Sequence, residues 1–199
     1  NYQKPERWWK ELRKATAADF DQSPVTAIKE KELVKLFDGL MKWPQGYKPL
    51  RKVEKLLQDK MKLFSDDQKI DWATGELLAY ASILTEENDV RMSGQDVRRG
   101  TFSHRHACLR DEETNELYNR LDHFTETQSP FRIYNSLLSE YAVLGFEYGY
   151  SMANPHALVL WEAQFGDFVN GAQTMIDQFI TAAETKWQRM NAIVMLLPH

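Results

Sequence analysis

Carboxylates, aromatic rings and an imidazole stand at three points where an apolar run of the sequence ends. The first point is Ser139-Glu140, the second is the run from Glu162 to Phe168, and the third is Pro198-His199. In parallel α/β sheets, ligands bind beyond the carboxyl ends of the strands, where loops lead into helices. The spacing therefore predicts one wall of a ligand site. It does not fix the chemistry, because Glu140 can also be an ordinary acid that the helix dipole favours in a first turn.

Three residues of types that bind zinc in other proteins alternate at His104, His106 and Cys108. We expect Thr101 to Leu109 to be strand-like, which would bring all three side chains to one face. A tetrahedral zinc site needs a fourth ligand, and no CxxC or HxxxH partner accompanies them. We therefore predict no metal site, and a zinc-binding module is kept as a minor alternative.

The elements that position the three points follow from the apolar pattern. Near-continuous apolar runs predict four strands, at Val90 to Met92, Phe131 to Tyr134, Ala157 to Trp161 and Ala192 to Leu197. Helical spacing predicts a helix from Ser139 to Met152 with Ser139 as its cap, and a second one from Val169 to Ala183. Apolar strands alternating with helices indicate an α/β fold with a parallel sheet and flanking helices.

The first third of the chain has a different pattern. Apolar residues at helical spacing beneath a lysine-rich face predict amphipathic helices between Thr26 and Met61, and Asp71 is a good N-cap for a further helix through Leu84. Basic residues outnumber acidic ones from 29 to 69, whereas acidic residues dominate from 111 to 199. We therefore predict two units: a helical lead-in or linker segment at 1–69, and an α/β domain at 70–199. Both ends have the character of cuts, so we expect a C-terminally truncated piece of a longer protein.

The composition of the 199 residues excludes several classes of protein. Hydrophobic residues make up 43% and aromatic residues 12%, which argues against disorder. A net charge of −4 provides no cationic footprint for nucleic acid. No run approaches the roughly 20 apolar residues that span a bilayer. A single cysteine allows no disulfide within the chain and favours a reducing compartment, a bacterial cytoplasm or alternatively a mitochondrial matrix.

Four longer runs of sequence carry a family resemblance. They are Met92 to His106, Leu138 to Tyr150, Trp161 to Gln173 and Met195 to His199. Together they resemble the thiamine-diphosphate-dependent decarboxylating component of 2-oxoglutarate dehydrogenase. The similarity extends from about Ile70 to His199 and more loosely from Val25 to Lys69. It implies a pyrimidine-binding domain of the transketolase type.

The resemblance also implies roles for individual residues. Glu140 matches the glutamate that hydrogen-bonds a ring nitrogen of the cofactor's aminopyrimidine and favours its imino form, and we expect it to be buried. Phe168 matches the aromatic residue beside the pyrimidine ring, and Phe165 is a weaker candidate that can equally be core. Gln95 falls in a loop near cofactor and substrate, or is a plain loop amide. His106 and His199 match positions in a family that uses histidines to hold its dicarboxylate substrate, although each can equally be structural.

For the intact enzyme, the resemblance implies decarboxylation of 2-oxoglutarate in the tricarboxylic acid cycle. The succinyl group then passes to a lipoyl group on the partner succinyltransferase of a multienzyme complex, and the enzyme is a homodimer. Mg²⁺ and the diphosphate would bind to a domain absent here, so we expect the fragment alone to be inactive. Gly166-Asp167-Phe168 followed by Asn191 mimics the Gly-Asp-Gly…Asn motif that binds Mg²⁺ and diphosphate in this enzyme class. Phe168, however, stands where the motif has its final glycine. The alternatives are a 2-oxoadipate dehydrogenase, a non-oxidative 2-oxoglutarate decarboxylase, and a non-catalytic interaction module.

Overall fold

Six strands form two sheets in the computed structural model, which describes Trp9, Lys10 and residues 12–199. The strands are β1 (Val90–Gly94), β2 (Cys108–Arg110), β3 (Leu117–Asn119), β4 (Phe131–Asn135), β5 (Leu158–Glu162) and β6 (Val194–Leu196). The main sheet has the order β4-β1-β5-β6, and all three of its pairings are parallel. The predicted α/β fold with a parallel sheet is confirmed.

The register of the main sheet brings its carboxyl ends to one edge. Gly94 at the end of β1 is paired with Asn135 of β4 on one side and with Glu162 of β5 on the other. Glu162 is in turn paired with Leu196 of β6. The three points singled out in the sequence therefore follow three parallel strands of one sheet, β4, β5 and β6, and lie along one edge of it.

The predicted strand from Thr101 to Leu109 is wrong over most of its length. Only Cys108 and Leu109 of that run are in a strand, β2, which pairs antiparallel with β3. Ser103 and His106 have φ angles of 53° and 42°. A left-handed residue cannot continue a β ladder, so 101–107 form turns and the predicted one-sided alternation of His104, His106 and Cys108 does not exist.

Four α-helices of eleven residues or more are present in the described part of the chain. They are α1 (Glu30–Leu40), α2 (Arg51–Asp67), α3 (Trp72–Thr85) and α4 (Glu140–Ala153). The predicted cap of α3 is confirmed, because the Asp71 carboxylate accepts a hydrogen bond from the Thr74 backbone N–H at 2.8 Å. Ser139 is the N-cap of α4, but it makes no side-chain capping hydrogen bond.

The predicted helix from Val169 to Ala183 is a chain of shorter helices. A 3₁₀ helix at Gly166–Ala172 leads into α5 (Gln173–Met175), a π-helical turn (Ile176–Ile180) and α6 (Ala183–Trp187). Its apolar side chains pack on α4 and on the face of β5 that carries Trp161. The helical periodicity was therefore informative, although it did not reveal the change of helix type.

The early helices share a core with the sheet. Leu40 of α1 and Leu57 of α2 belong to the same buried cluster as Met92 of β1 and Ile133 of β4. The proposed division into a segment at 1–69 and a domain at 70–199 stays a prediction, and residues 1–8 and 11 of that lead-in lie outside the described residues. Among the helices described, none is both long and apolar enough to cross a membrane.

Candidate functional site

A hydrogen bond joins two of the predicted site residues at the carboxyl edge of the sheet. The side-chain amide of Gln95, the first residue after β1, donates to Oε1 of Glu140 at 3.1 Å. Glu140 is the first residue of α4. Both side chains are half-buried, so the expectation of a buried Glu140 is wrong for this chain by itself. The carboxylate opens to the edge because it stands at the start of its helix rather than within the core.

Glycine at position 94 lets the strands approach closely enough to place Gln95. Gly94 has a φ of +154°, and a Cβ there would lie 2.2 Å from the backbone oxygen of Glu162. The Gly94 carbonyl also accepts a hydrogen bond from the Ser136 N–H at 2.8 Å. Gln95 therefore leaves β1 from a point fixed by the ends of both neighbouring strands.

Exposed aromatic rings lie on the segment after β5, which also approaches this carboxylate. Phe165 and Phe168 meet edge to face with ring centroids 5.9 Å apart, and Phe102 meets Phe165 in the same way at 6.0 Å. Phe168 is 47% exposed, so it is not core in this chain. The 3₁₀ helix that carries it also carries Gly171, where a Cβ would lie 3.7 Å from Glu140 Oε2.

The segment after Gln95 is held by hydrogen bonds from several elements. The N–H of Arg98 donates to Asn135 Oδ1 at 3.0 Å, and its Nε donates to the carbonyl of Ile133 at 3.2 Å. The hydroxyl of Thr101 donates to the carbonyl of Gln164 at 2.6 Å. The segment therefore connects β4 to the loop after β5, across the whole edge.

Comparison with known proteins agrees with this arrangement. The family described as the transketolase pyrimidine binding domain matches residues 68–199. This chain belongs to that family. The parallel sheet, with Glu140 and Phe168 at its carboxyl edge, is thus part of a pyrimidine-binding domain.

Individual relatives are similar over most of the chain. It is 50% identical over 178 residues to the 2-oxoglutarate dehydrogenase E1 component of Rickettsia felis, a match that covers 89% of this chain and 18% of that protein. The protein of the same name from Brucella anthropi is 47% identical over 191 residues, covering 96% of this chain and 19% of the relative. The one from Shouchella clausii is 48% identical over 174 residues, covering 87% and 18%. The chain thus spans just under a fifth of the length of these relatives.

Sequence reasoning missed a buried ionic cluster behind the edge of the pyrimidine-binding domain. Arg105 is fully buried and donates to both oxygens of Glu162 and to both oxygens of Glu76. Glu162 is the last residue of β5, and its side chain is 2% exposed. One signal was available, since a glutamate that closes an otherwise apolar buried strand requires a partner.

His106 lies in a cationic environment on the β4 side of the edge. It lines a cleft of about 230 Å³ together with Arg98, Arg110 and Asn135. Burial and the charges of Arg120 and neighbouring cations lower the pKa of His106 to about 4. The imidazole is therefore neutral near pH 7 and can donate or accept a hydrogen bond, but it cannot form an ion pair with a carboxylate.

His199 lies on the other side of the domain's edge and is exposed. The carbonyl of Pro198 accepts a hydrogen bond from the Gly166 N–H at 2.8 Å, which places the last residues beside the start of the Phe168 helix. The structure therefore puts Gln95, Glu140 and Phe168 in one neighbourhood, with His106 and His199 on opposite sides of the edge.

Within the described residues, no group of three or more His, Cys, Asp or Glu side chains is arranged to hold a metal ion. Burial raises the pKa of the Cys108 thiol to about 11, which disfavours the thiolate that zinc would need. His104 Nδ1 is buried and has no hydrogen-bond partner.

Proposed function

We propose that this chain forms the pyrimidine-binding wall of a thiamine-diphosphate-dependent enzyme that decarboxylates 2-oxoglutarate and passes the succinyl group to a lipoyl group on a partner acyltransferase. The observation that carries the proposal is the Gln95–Glu140 hydrogen bond at the carboxyl edge of the sheet, where the 3₁₀ helix that bears the exposed Phe168 passes Glu140 Oε2 at Gly171. The relatives are 2-oxoglutarate dehydrogenase E1 components, which supports the choice of substrate.

The residues at this edge fit an aminopyrimidine ring. Such a ring needs a carboxyl group at a ring nitrogen and a flat apolar surface against its face. Glu140 Oε1 is occupied by Gln95, whereas Oε2 accepts no hydrogen bond from any described side chain or backbone group and is available to a ligand. The exposed ring of Phe168 supplies the flat surface.

Each of these residues has a separate task. Glu140 would share a proton with a ring nitrogen of the bound aminopyrimidine and so would favour the imino form of that ring, which is the basic one. Gln95 fixes the orientation of that carboxyl group through its amide N–H, and Phe168 orients the ring and excludes water from one side. When bound, thiamine diphosphate supplies the carbon nucleophile and the electron sink that decarboxylation requires.

The reaction also needs a binding site for the diphosphate and Mg²⁺, which we place outside the described residues. We propose that the diphosphate and Mg²⁺ bind to another domain of the full enzyme, contributed by the second subunit of a homodimer. The relatives are about five times longer than this chain, which leaves room for such a domain. Relatives from bacteria and a single cysteine favour a bacterial cytoplasm as the location.

The two histidines would act on the substrate rather than on the cofactor. We propose that His199, which is exposed beside the Phe168 helix, contacts one carboxylate of 2-oxoglutarate. His106 is held neutral by burial and by nearby cations, which lower its pKa to about 4, so it would serve as a hydrogen-bond donor. The guanidinium groups of Arg98 and Arg110 in the same cleft provide the positive charge that His106 lacks.

The decisive experiment measures turnover of the full-length enzyme with 2-oxoglutarate and with 2-oxoadipate. We expect Glu140→Gln to lower kcat by a factor on the order of 10² or more, because the amide cannot share the proton. Glu126→Gln is the matched control, since that glutamate is exposed in the loop before β4. Equal rates for wild type and Glu140→Gln would refute the proposed role, and preference for 2-oxoadipate would change the substrate.

A further inference from the structure

We propose that Arg105 is a positioning residue for the cofactor site, acting through Gln95. This inference rests on the proposed function, because it assigns a task at the same edge. The Arg105 side chain is completely buried and lies between Glu76 of α3 and Glu162 of β5. Burial of an arginine has a large desolvation cost in free energy, so the presence of Arg105 here requires an explanation.

All five N–H donors of the guanidinium are used. Nε donates to Glu76 Oε1 at 2.5 Å, and Nη2 donates to the second oxygen of Glu76 at 3.3 Å and to Glu162 Oε2. Nη1 donates to Glu162 Oε1 and to the backbone carbonyl of Val97, both at 2.9 Å. The planar fork of arginine is the side chain that can meet this set of acceptors at once.

Two of these contacts lie on either side of Gln95. Val97 is two residues beyond Gln95, and its side chain is fully buried. Glu162 is paired with Gly94, the residue immediately before Gln95. One guanidinium therefore holds both flanks of the short segment from which Gln95 reaches Glu140, and a shift of this segment moves the amide away from the carboxylate.

Arg105 is itself anchored by other elements. The Lys60 ammonium of α2 donates to the carbonyl of His104 at 3.1 Å. The Arg120 guanidinium, also fully buried, donates to the carbonyl of His106 at 3.0 Å. The backbone on both sides of Arg105 is thus tied to α2 and to the segment after β3, so the position of Gln95 is set by elements remote from the cofactor.

A role in stability alone predicts a different pattern of contacts. Replacing a buried ion pair by apolar residues is often neutral or stabilising, so an ionic cluster is a poor device for holding a fold together. Stability requires an acceptor for the fifth N–H of the buried guanidinium, but it does not require that this acceptor belong to the segment next to Gln95. Both features are explained if the cluster fixes the geometry of the edge, where a small displacement of a catalytic group has a large effect on rate.

The test uses Arg105→Lys in the full-length enzyme, which keeps the charge and loses the fork. The control is Arg132→Lys, because Arg132 pairs with Asp89 at the opposite end of the strands and its side chain is 36% exposed. The measurements are the melting temperature, the Kd for thiamine diphosphate with Mg²⁺ by calorimetry, kcat at saturating cofactor, and hydrogen exchange of the amides of 95–100 without cofactor.

We expect Arg105→Lys to speed exchange in 95–100 by at least about tenfold while the core amides of α3 and β1 keep their protection. We expect kcat at saturating cofactor to fall by roughly tenfold or more, as when partners that orient a metal ligand are removed. In a double-mutant cycle, Gln95→Ala should add little to Arg105→Lys, since both remove the same contact to Glu140. The control should leave all four measurements unchanged.

Fully multiplicative effects of the two substitutions, or unchanged exchange in 95–100, would overturn the inference. If Arg105→Lys does not fold, Glu162→Gln takes its place, because it keeps the shape of the cluster and weakens its hold on the same guanidinium. If wild type neither binds thiamine diphosphate nor turns over, the proposed function fails. The exchange data and the Gln95–Glu140 distance in a crystal structure of the variant still decide whether Arg105 positions Gln95.

Discussion

The amide of Gln95 and the carboxylate of Glu140 meet at 3.1 Å across the carboxyl edge of the sheet, joining the end of β1 to the start of α4. The contact engages Oε1, leaves Glu140 Oε2 open and so orients it. A proton-sharing carboxylate is useful only when its free oxygen points in a defined direction. Substitutions at Gln95 or Glu140 therefore test the site most directly.

Gln95→Glu should impair cofactor activation more than Gln95→Ala does. The substitution keeps the shape of the side chain but places a second carboxylate within hydrogen-bond distance of Glu140, and two carboxylates in one site compete for a single proton. We expect kcat of the full-length enzyme to fall by roughly 10². Steady-state kinetics at saturating thiamine diphosphate measure the effect, with the exposed Gln58→Glu as control. A rate for Gln95→Glu equal to that of wild type would show that the amide is not needed.

The main sheet was predictable, whereas the loop and the ionic cluster were not. The predicted runs of β5 and β6 are continuously apolar, and that of β4 is interrupted only by Arg132, so the strand signal is strong. The turns of 101–107 depend on left-handed backbone at Ser103 and His106, residue types that give no warning of it. A glycine at those positions would have signalled the break.

Part of the candidate site could likewise be predicted from the sequence. Glu140 and Phe168 stand just beyond predicted strands, so their neighbourhood followed from the topology of a parallel sheet. No pattern in the sequence pointed to a partner for Arg105. Only the fold shows that two carboxylates, from α3 and β5, converge on it.

Glu147→Gln should destabilise the chain strongly. Glu147 is fully buried in α4 and accepts hydrogen bonds from Arg91 Nε at 2.8 Å, from Arg91 Nη2 at 2.9 Å and from the hydroxyl of Ser93 at 2.7 Å. Removing its charge leaves the nearly buried guanidinium of Arg91 without a counter-ion, which typically costs about 3–5 kcal/mol. Chemical denaturation of the 199-residue chain measures the loss.

The matched control for that prediction is the more exposed ion pair of Asp89 and Arg132. Its N–O distance, 2.9 Å, is close to that of the buried pair, but the two side chains are 32% and 36% exposed. Solvent screening limits such pairs to about 0–1 kcal/mol, so Asp89→Asn should cost little. Similar losses for Glu147→Gln and Asp89→Asn would show that burial is not what makes the first pair important.

Acid should destabilise the chain through His106. Burial and nearby cations lower its pKa to about 4 in the folded state, below the usual value of 6.5, so the unfolded chain binds the proton more readily. The unfolding free energy therefore falls as the pH decreases from about 6.5 to about 4, and this contribution is fully present above pH 6.5. Denaturation at several pH values should show a flatter dependence for His106→Gln. The exposed His123→Gln should keep the wild-type slope, and a steep slope in His106→Gln would assign the effect to other groups.

Gly94→Ala should damage both stability and the cofactor edge. A Cβ at Gly94 would lie 2.2 Å from the backbone oxygen of Glu162 and 2.8 Å from a methyl carbon of Val97, and its φ of +154° disfavours an L-residue. Because the oxygen belongs to a paired strand, relief requires that β1 and β5 separate at the point where Gln95 begins. We expect a loss of about 3 kcal/mol or more in unfolding free energy, beyond the usual cost of overpacking, together with loss of thiamine diphosphate binding in the full-length enzyme.

Gly149→Ala is the control, since a Cβ there meets nothing within 4 Å and alanine in a helix interior should stabilise by about 0.5–1 kcal/mol. If Gly94→Ala retained wild-type stability and cofactor affinity, the close approach of these two strand ends would not be what fixes the position of Gln95.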